Sequence, residues 1–77
     1  MRTALKAVEI KDVQFIGSSA MLLALSNDRT FIIPLEKFED IAGLTPEEQK
    51  NFEIIDGDNL TFLAIDEIYN LHQLIGI

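Results

Sequence analysis

No cysteine occurs in the chain, so it has no disulfide framework, no thiolate chemistry and no cysteine-based zinc site. That absence fits a reducing, cytoplasmic setting. Tryptophan is also missing, and histidine and tyrosine occur once each. The lone histidine, His72, has no Ser, Asp or second His spaced to orient it as a catalytic base. The glycines are isolated, so there is no phosphate-cradling loop. The longest unbroken apolar run, Ala20 to Leu25, is far too short to span a membrane. The opening residues MRTALKAVEIKD have no long apolar core behind their positive charges, which argues against a secretory leader there. Bases are scarce: six Lys and Arg stand against thirteen Asp and Glu, for a formal net charge of −7. They are also scattered, at Arg2, Lys6, Lys11, Arg29, Lys37 and Lys50. Direct nucleic-acid binding is therefore not expected, since phosphate neutralisation supplies most non-specific affinity. An acidic exterior serves solubility, and it would also steer towards a basic partner.

What the chain does have is apolar residues, 48% of its 77 positions, enough for one small core. Residues 1–77 read as a single domain without repeats or linkers. The centre of that domain is Ala20 to Leu35, AMLLALSNDRTFIIPL, two runs of strand formers around the turn cluster Ser26-Asn27-Asp28-Arg29. Loop length decides which side chains share a face. A three-residue loop, Ser26 to Asp28, pairs Leu25 with Arg29, Leu23 with Phe31 and Met21 with Ile33. The odd positions then form one apolar face, whereas a two-residue loop would split Leu23 from Phe31. The three-residue loop needs a left-handed residue, which falls to Asp28. The even positions Leu22, Ala24 and Ile32 are apolar too. Either the rest of the chain covers that side, or it meets a partner.

The first strand is Ala7 to Ile16. Its apolar parity changes between Val8/Ile10 and Val13/Phe15, which predicts a bulge near Lys11-Asp12. Gly17-Ser18-Ser19 turns into the hairpin, giving a three-stranded meander. Pro34 ends the third strand or lies on an edge. Glu36 to Ala42 reads as a short helix with Phe38, Ile41 and Ala42 on one side and Gly43 just past its end. Thr45-Pro46-Glu47-Glu48 has a Thr cap, Pro at the first helical position and Glu at the third, so a second brief helix ends near Asn51. Phe52 to Asp56 and Leu60 to Ile65 form a second hairpin around Gly57-Asp58-Asn59. Leu60, Phe62 and Ala64 share one face of the fifth strand. After Asp66-Glu67-Ile68-Tyr69, Asn70 caps a final helical turn with Leu71, Leu74 and Ile75 as its apolar stripe and Gly76 as its stop. The fold class is α+β: a small antiparallel sheet with a three-stranded meander, one or two short helices, a second hairpin and a C-terminal helical turn.

No catalytic, cofactor or metal residue emerges from the chain. Asp56-Gly57-Asp58-Asn59 superficially suggests a calcium loop but lacks the later ligands and the closing bidentate Glu. Glu36, Glu39 and Asp40, and Asp66 with Glu67, read as solvated acids, because nothing predicts the burial that acid–base work requires. Tyr69 suits either an interface anchor or a half-buried place in the core. The candidate interface residues are thus Leu22, Ala24, Ile32 and Tyr69.

The order of the pieces resembles the bacterial domain-of-unknown-function family 2442. The matching segments are Leu25-Ser26-Asn27-Asp28-Arg29, Ile33-Pro34-Leu35, Leu44-Thr45-Pro46-Glu47-Glu48-Gln49, Phe52-Glu53-Ile54, Ile65-Asp66-Glu67 and Leu74-Ile75. The chain differs in having Asp28 where the turn glycine is usual, Phe62 nearest the usual tryptophan, and Ile68 where an acid follows Asp66-Glu67. The resemblance implies a small α+β domain from bacteria and their mobile elements, without established catalysis. Members of the family often accompany a second small protein in a pair resembling toxin and antitoxin. That implies a non-enzymatic, antitoxin-like protein-binding module with a protein partner, for which the acidic charge would favour a basic one. Two further expectations are an inhibitor from a phage or mobile element whose acidic face imitates nucleic acid, and a self-associating domain whose second apolar face is a homo-oligomer seam.

Overall fold

The computed structural model describes residues 8–76. Ala7, placed above at the start of the first strand, and most of the N-terminal stretch examined for a leader lie outside the described residues, as does Ile77. Two three-stranded antiparallel sheets make up the architecture, each a meander of consecutive strands. The first contains β1 (Ile10–Ile16), β2 (Ala20–Leu25) and β3 (Thr30–Pro34). The second contains β4 (Phe52–Ile55), β5 (Asn59–Phe62) and β6 (Ile68–Asn70). Between the sheets in sequence come a 3₁₀ turn, Leu35–Lys37, and two four-residue helices, α1 (Glu39–Ala42) and α2 (Pro46–Gln49). A last helix, α3 (Leu71–Ile75), follows β6 directly. Among the described residues, no helix is long and apolar enough to cross a membrane.

The β2–β3 hairpin has the expected register, with Leu23 opposite Phe31 and Met21 opposite Ile33. Asp28 takes the left-handed conformation its loop requires, at φ 66°. The bulge also lies where the parity change put it: Ile10 pairs with Leu25 and Asp12 with Ala24, leaving Lys11 as the extra residue. That single insertion lets Ile10, Val13 and the half-buried Phe15 all face inwards. The core is one contiguous cluster to which both sheets contribute. Met21, Leu23, Leu35, Ile41, Leu60 and Phe62 are its most deeply enclosed large side chains. Each such burial stabilises the fold by about 1.5–3 kcal/mol. Phe62 stands edge-to-face with Phe15 of the first sheet and Phe52 of its own, at centroid distances of 6.0 and 6.2 Å.

The capping signals operate as their residues suggest. The Thr45 hydroxyl accepts from the Glu48 N–H at 3.1 Å, and the Glu48 carboxylate accepts from the Thr45 N–H at 2.9 Å. Asn70 caps α3 in the same reciprocal way with Gln73, and Gly76 ends that helix at φ 82°.

Several boundaries differ from those expected. The helix over Glu36 to Ala42 is divided: Phe38, at φ −131° and ψ 72°, separates the 3₁₀ turn from α1. The break lets Leu35 and Ile41 both be buried while the Phe38 ring meets Tyr69 edge-to-face at 6.0 Å. Gly43 closes α1 without a left-handed turn, at φ −85°. The second hairpin pairs Ile55 with Asn59, so its loop is Asp56-Gly57-Asp58, with Asp56 and Gly57 at positive φ. β5 stops at Phe62, where a turn closed by Ile65 N–H donating to Phe62 C=O at 3.0 Å takes over, and Ala64 is exposed rather than on the core face. Asp66 to Tyr69, given no element above, leads into β6, which adds a third strand to the second sheet by pairing Tyr69 with Leu60.

Candidate protein-docking surfaces

The register of the first sheet places three rows of side chains on the face turned away from the core. Gln14, Leu22 and Ile32 form one row. Asp12, Ala24 and Thr30 form the second, and Ile16, Ala20 and Pro34 the third. Leu22 and Ala24 are partly exposed, Ile16 is half exposed and Ile32 is 66% exposed. Three of the four expected interface residues therefore stand together on one side of one sheet. The polar members gather at one corner, where the Gln14 side-chain amide donates to Asp12 at 3.2 Å.

Tyr69 does not join them. It is 4% exposed, in β6 of the other sheet, and its ring belongs to the core. Burial, followed by the neighbouring Glu67 carboxylate as hydrogen-bond acceptor and then by Asp40, pushes its hydroxyl up to about 12. The neutral phenol is the form the fold favours.

β3 forms one edge of its sheet, and a groove runs between that edge and α3. Phe31, Ile33 and Pro34 line one wall and Leu74, Ile75 and Gly76 the other, around a volume of about 230 Å³. Near Pro34 the groove continues into a more polar cleft through shared Glu36, Lys37, Phe38 and Gln73. Glu39, Asp40, Glu67 and Tyr69 complete the cleft, so among the described residues Lys37 is the one base facing its four acids. Phe31 and Ile75 escaped sequence reading because alternation assigns them to the core. Only the position of α3 beside an edge strand reveals the groove.

The chemical candidates stay apart. Among the described residues, no group of three or more His, Asp or Glu is placed to hold a metal ion. His72 is exposed on α3, where its backbone N–H caps onto Asn70 at 3.0 Å. Asp58 in the second hairpin turn accepts from the Asn59 amide at 3.2 Å.

A family model described as a protein of unknown function (DUF2442) matches residues 10–76. The chain belongs to the DUF2442 family. Neither a curated protein nor a solved structure matches it. The matched span of this DUF2442 chain includes both sheets, the outer face of the first and the groove beside α3.

Proposed function

We propose that this DUF2442 domain is a non-enzymatic protein-binding module, acting as the antitoxin-like member of a gene pair with a basic protein. The observation that carries the reading is the exposed apolar face of the first sheet, formed by Ile16, Leu22, Ala24 and Ile32. A sheet face with large side chains half or more exposed costs solubility, and such patches mark contact surfaces more often than chance. The acidic balance of the chain favours a basic counterpart through steered encounter.

The test is co-expression with the product of the adjacent gene, followed by size exclusion. A stoichiometric complex that Ile32→Lys weakens by about tenfold or more supports the reading. A complex indifferent to Ile32→Lys and Ile16→Lys would remove the outer face from it. The same exposed face also suits a second copy of the chain. Light scattering on the isolated protein separates that arrangement, since concentration-dependent dimers that Ile32→Lys dissolves would replace the hetero-partner.

A further inference from the structure

We propose that the outer edge of β3, with the groove between it and α3, receives an extended segment of a partner protein as a fourth strand, basic at its N-terminal end and alternately apolar after it. The proposal rests on the protein-binding reading but uses a different surface from the outer sheet face.

The hydrogen-bond alternation of the hairpin identifies the groups on offer. The Leu25 N–H donates to the Arg29 C=O at 2.8 Å, which makes that pair a hydrogen-bonded one. In an antiparallel ladder such pairs alternate. Phe31 and Ile33 therefore bond inwards to β2, and the Leu35 N–H donating to the Ser19 C=O at 3.0 Å continues the pattern. Thr30, Ile32 and Pro34 are the intervening residues, so their peptide groups point away from β2. Thr30 and Ile32 each present an N–H and a C=O along the edge, and Pro34 presents a C=O alone. Among the described residues, no strand pairs with this edge.

The groove, with a volume of about 230 Å³ between apolar walls, is of a size to take side chains. Strand addition uses such a space well: backbone bonds give affinity, and every second side chain enters a pocket. Here those side chains would meet Phe31, Ile33, Leu74 and Ile75. Charge then selects the occupant. The groove opens at its Pro34 end into the cleft of Glu36, Glu39, Asp40 and Glu67, opposed among the described residues by Lys37. An antiparallel strand has its N-terminal end there, so its basic residues belong before its apolar ones. A second copy of this chain would bring a charge of −7 against −7 and is disfavoured. A helix in the groove would take the edge groups of Thr30 and Ile32 from water without giving them hydrogen-bond partners, which disfavours it.

The experiment titrates the full chain with a synthetic acetylated peptide of two lysines followed by alternating valine and threonine. Amide exchange and chemical shifts are followed by NMR. We expect the amides of Thr30 and Ile32 to become protected, and shifts to move in Phe31, Leu74 and Ile75. N-methylation of the peptide residues that face the edge should weaken binding by about tenfold or more, whereas N-methylation of the intervening residues should not. Replacing the lysines by glutamates should do the same, as should the combined change Glu36→Gln, Glu39→Gln and Asp40→Asn in the protein. The proposal is overturned by absent binding, by binding that leaves Thr30 and Ile32 unprotected, by indifference to the N-methyl pattern, or by protection of both amides through self-association without peptide. If the groove stays empty while a partner still binds in an Ile32-dependent manner, the strand site fails and the broader protein-binding reading stands. Loss of both would remove that reading as well.

Discussion

The amide of Ile10 donates to the carbonyl of Gly57 at 2.7 Å, joining the first strand of one sheet to the hairpin turn of the other. The Glu9 side chain lies over the same turn, where a Cβ on Gly57 would come within 2.8 Å of its Cγ, Cδ and Oε2 atoms. Gly57 also holds φ +83°. Gly57→Ala should therefore destabilise the protein. The flexible Glu9 side chain can swing aside, so most of the loss, about 1–2 kcal/mol, comes from the left-handed backbone. Urea unfolding of the single variant and of the Glu9→Ala, Gly57→Ala pair checks this. The pair should recover only the small contact part, and an unchanged midpoint for Gly57→Ala would refute the role given to the turn.

Asp28 offers the opposite experiment. It holds φ 66° at a position where glycine carries no steric penalty. Asp28→Gly removes a cost of about 1–2 kcal/mol and adds back about 0.5–1 kcal/mol of unfolded-chain entropy. A net gain of about 0.5–1 kcal/mol is expected in denaturant midpoint at constant slope. A loss would mean that the Asp28 side chain contributes more than the backbone analysis allows.

Phe62 is 1% exposed and touches an aromatic ring from each sheet. Phe62→Ala should cost about 3–5 kcal/mol, because the transfer loss and the cavity add. That is a large share of the roughly 5–15 kcal/mol that holds a domain together. Circular dichroism should show a chain unfolded or nearly so at moderate temperature. A well-folded Phe62→Ala protein would mean that the two sheets do not depend on their shared aromatic contact.

The Tyr69 hydroxyl links stability to alkaline pH. Its folded-state value, raised to about 12, exceeds the ordinary 10 of the unfolded chain. The neutral form is favoured by folding, so the full benefit is present below pH 10 and is lost as pH rises from about 10 to about 12. The hydroxyl borders an open cleft, so solvent screening keeps the loss to about 1 kcal/mol. Tyr69→Phe cannot ionise and should lose less stability across that window than the native chain does. At neutral pH the variant should cost about 1 kcal/mol for the missing hydrogen bond. Parallel alkaline curves for the two proteins would contradict the assignment.

What could be read from residues alone was whatever depended on local spacing. The hairpin register followed from the parity of Leu23 and Phe31, the bulge from the switch between Ile10 and Val13, and both caps from Thr45 and Asn70. β6 was not legible because three residues after two acids show too little alternation, and only the pairing of Tyr69 with Leu60 makes them a strand. The break at Phe38 was missed for a related reason. The i, i+3, i+4 spacing of Phe38, Ile41 and Ala42 suits one helix, but seating Leu35 and Ile41 together in the core divides it. Of the candidate surface, Leu22, Ala24 and Ile32 were legible by alternation. Tyr69 proved to be core, and the groove depends on where α3 comes to rest, which no local pattern encodes.

Both sheets are built from strands adjacent along the chain, each joined to the next by a few residues. Short closures forfeit little chain entropy, so the pairings within each meander form at low cost, while the shared core joins the two. A topology of this kind places the protein among rapid folders for a β-rich domain. The four- and five-residue helices are too short to persist in isolation and would order only once a sheet is there to receive them.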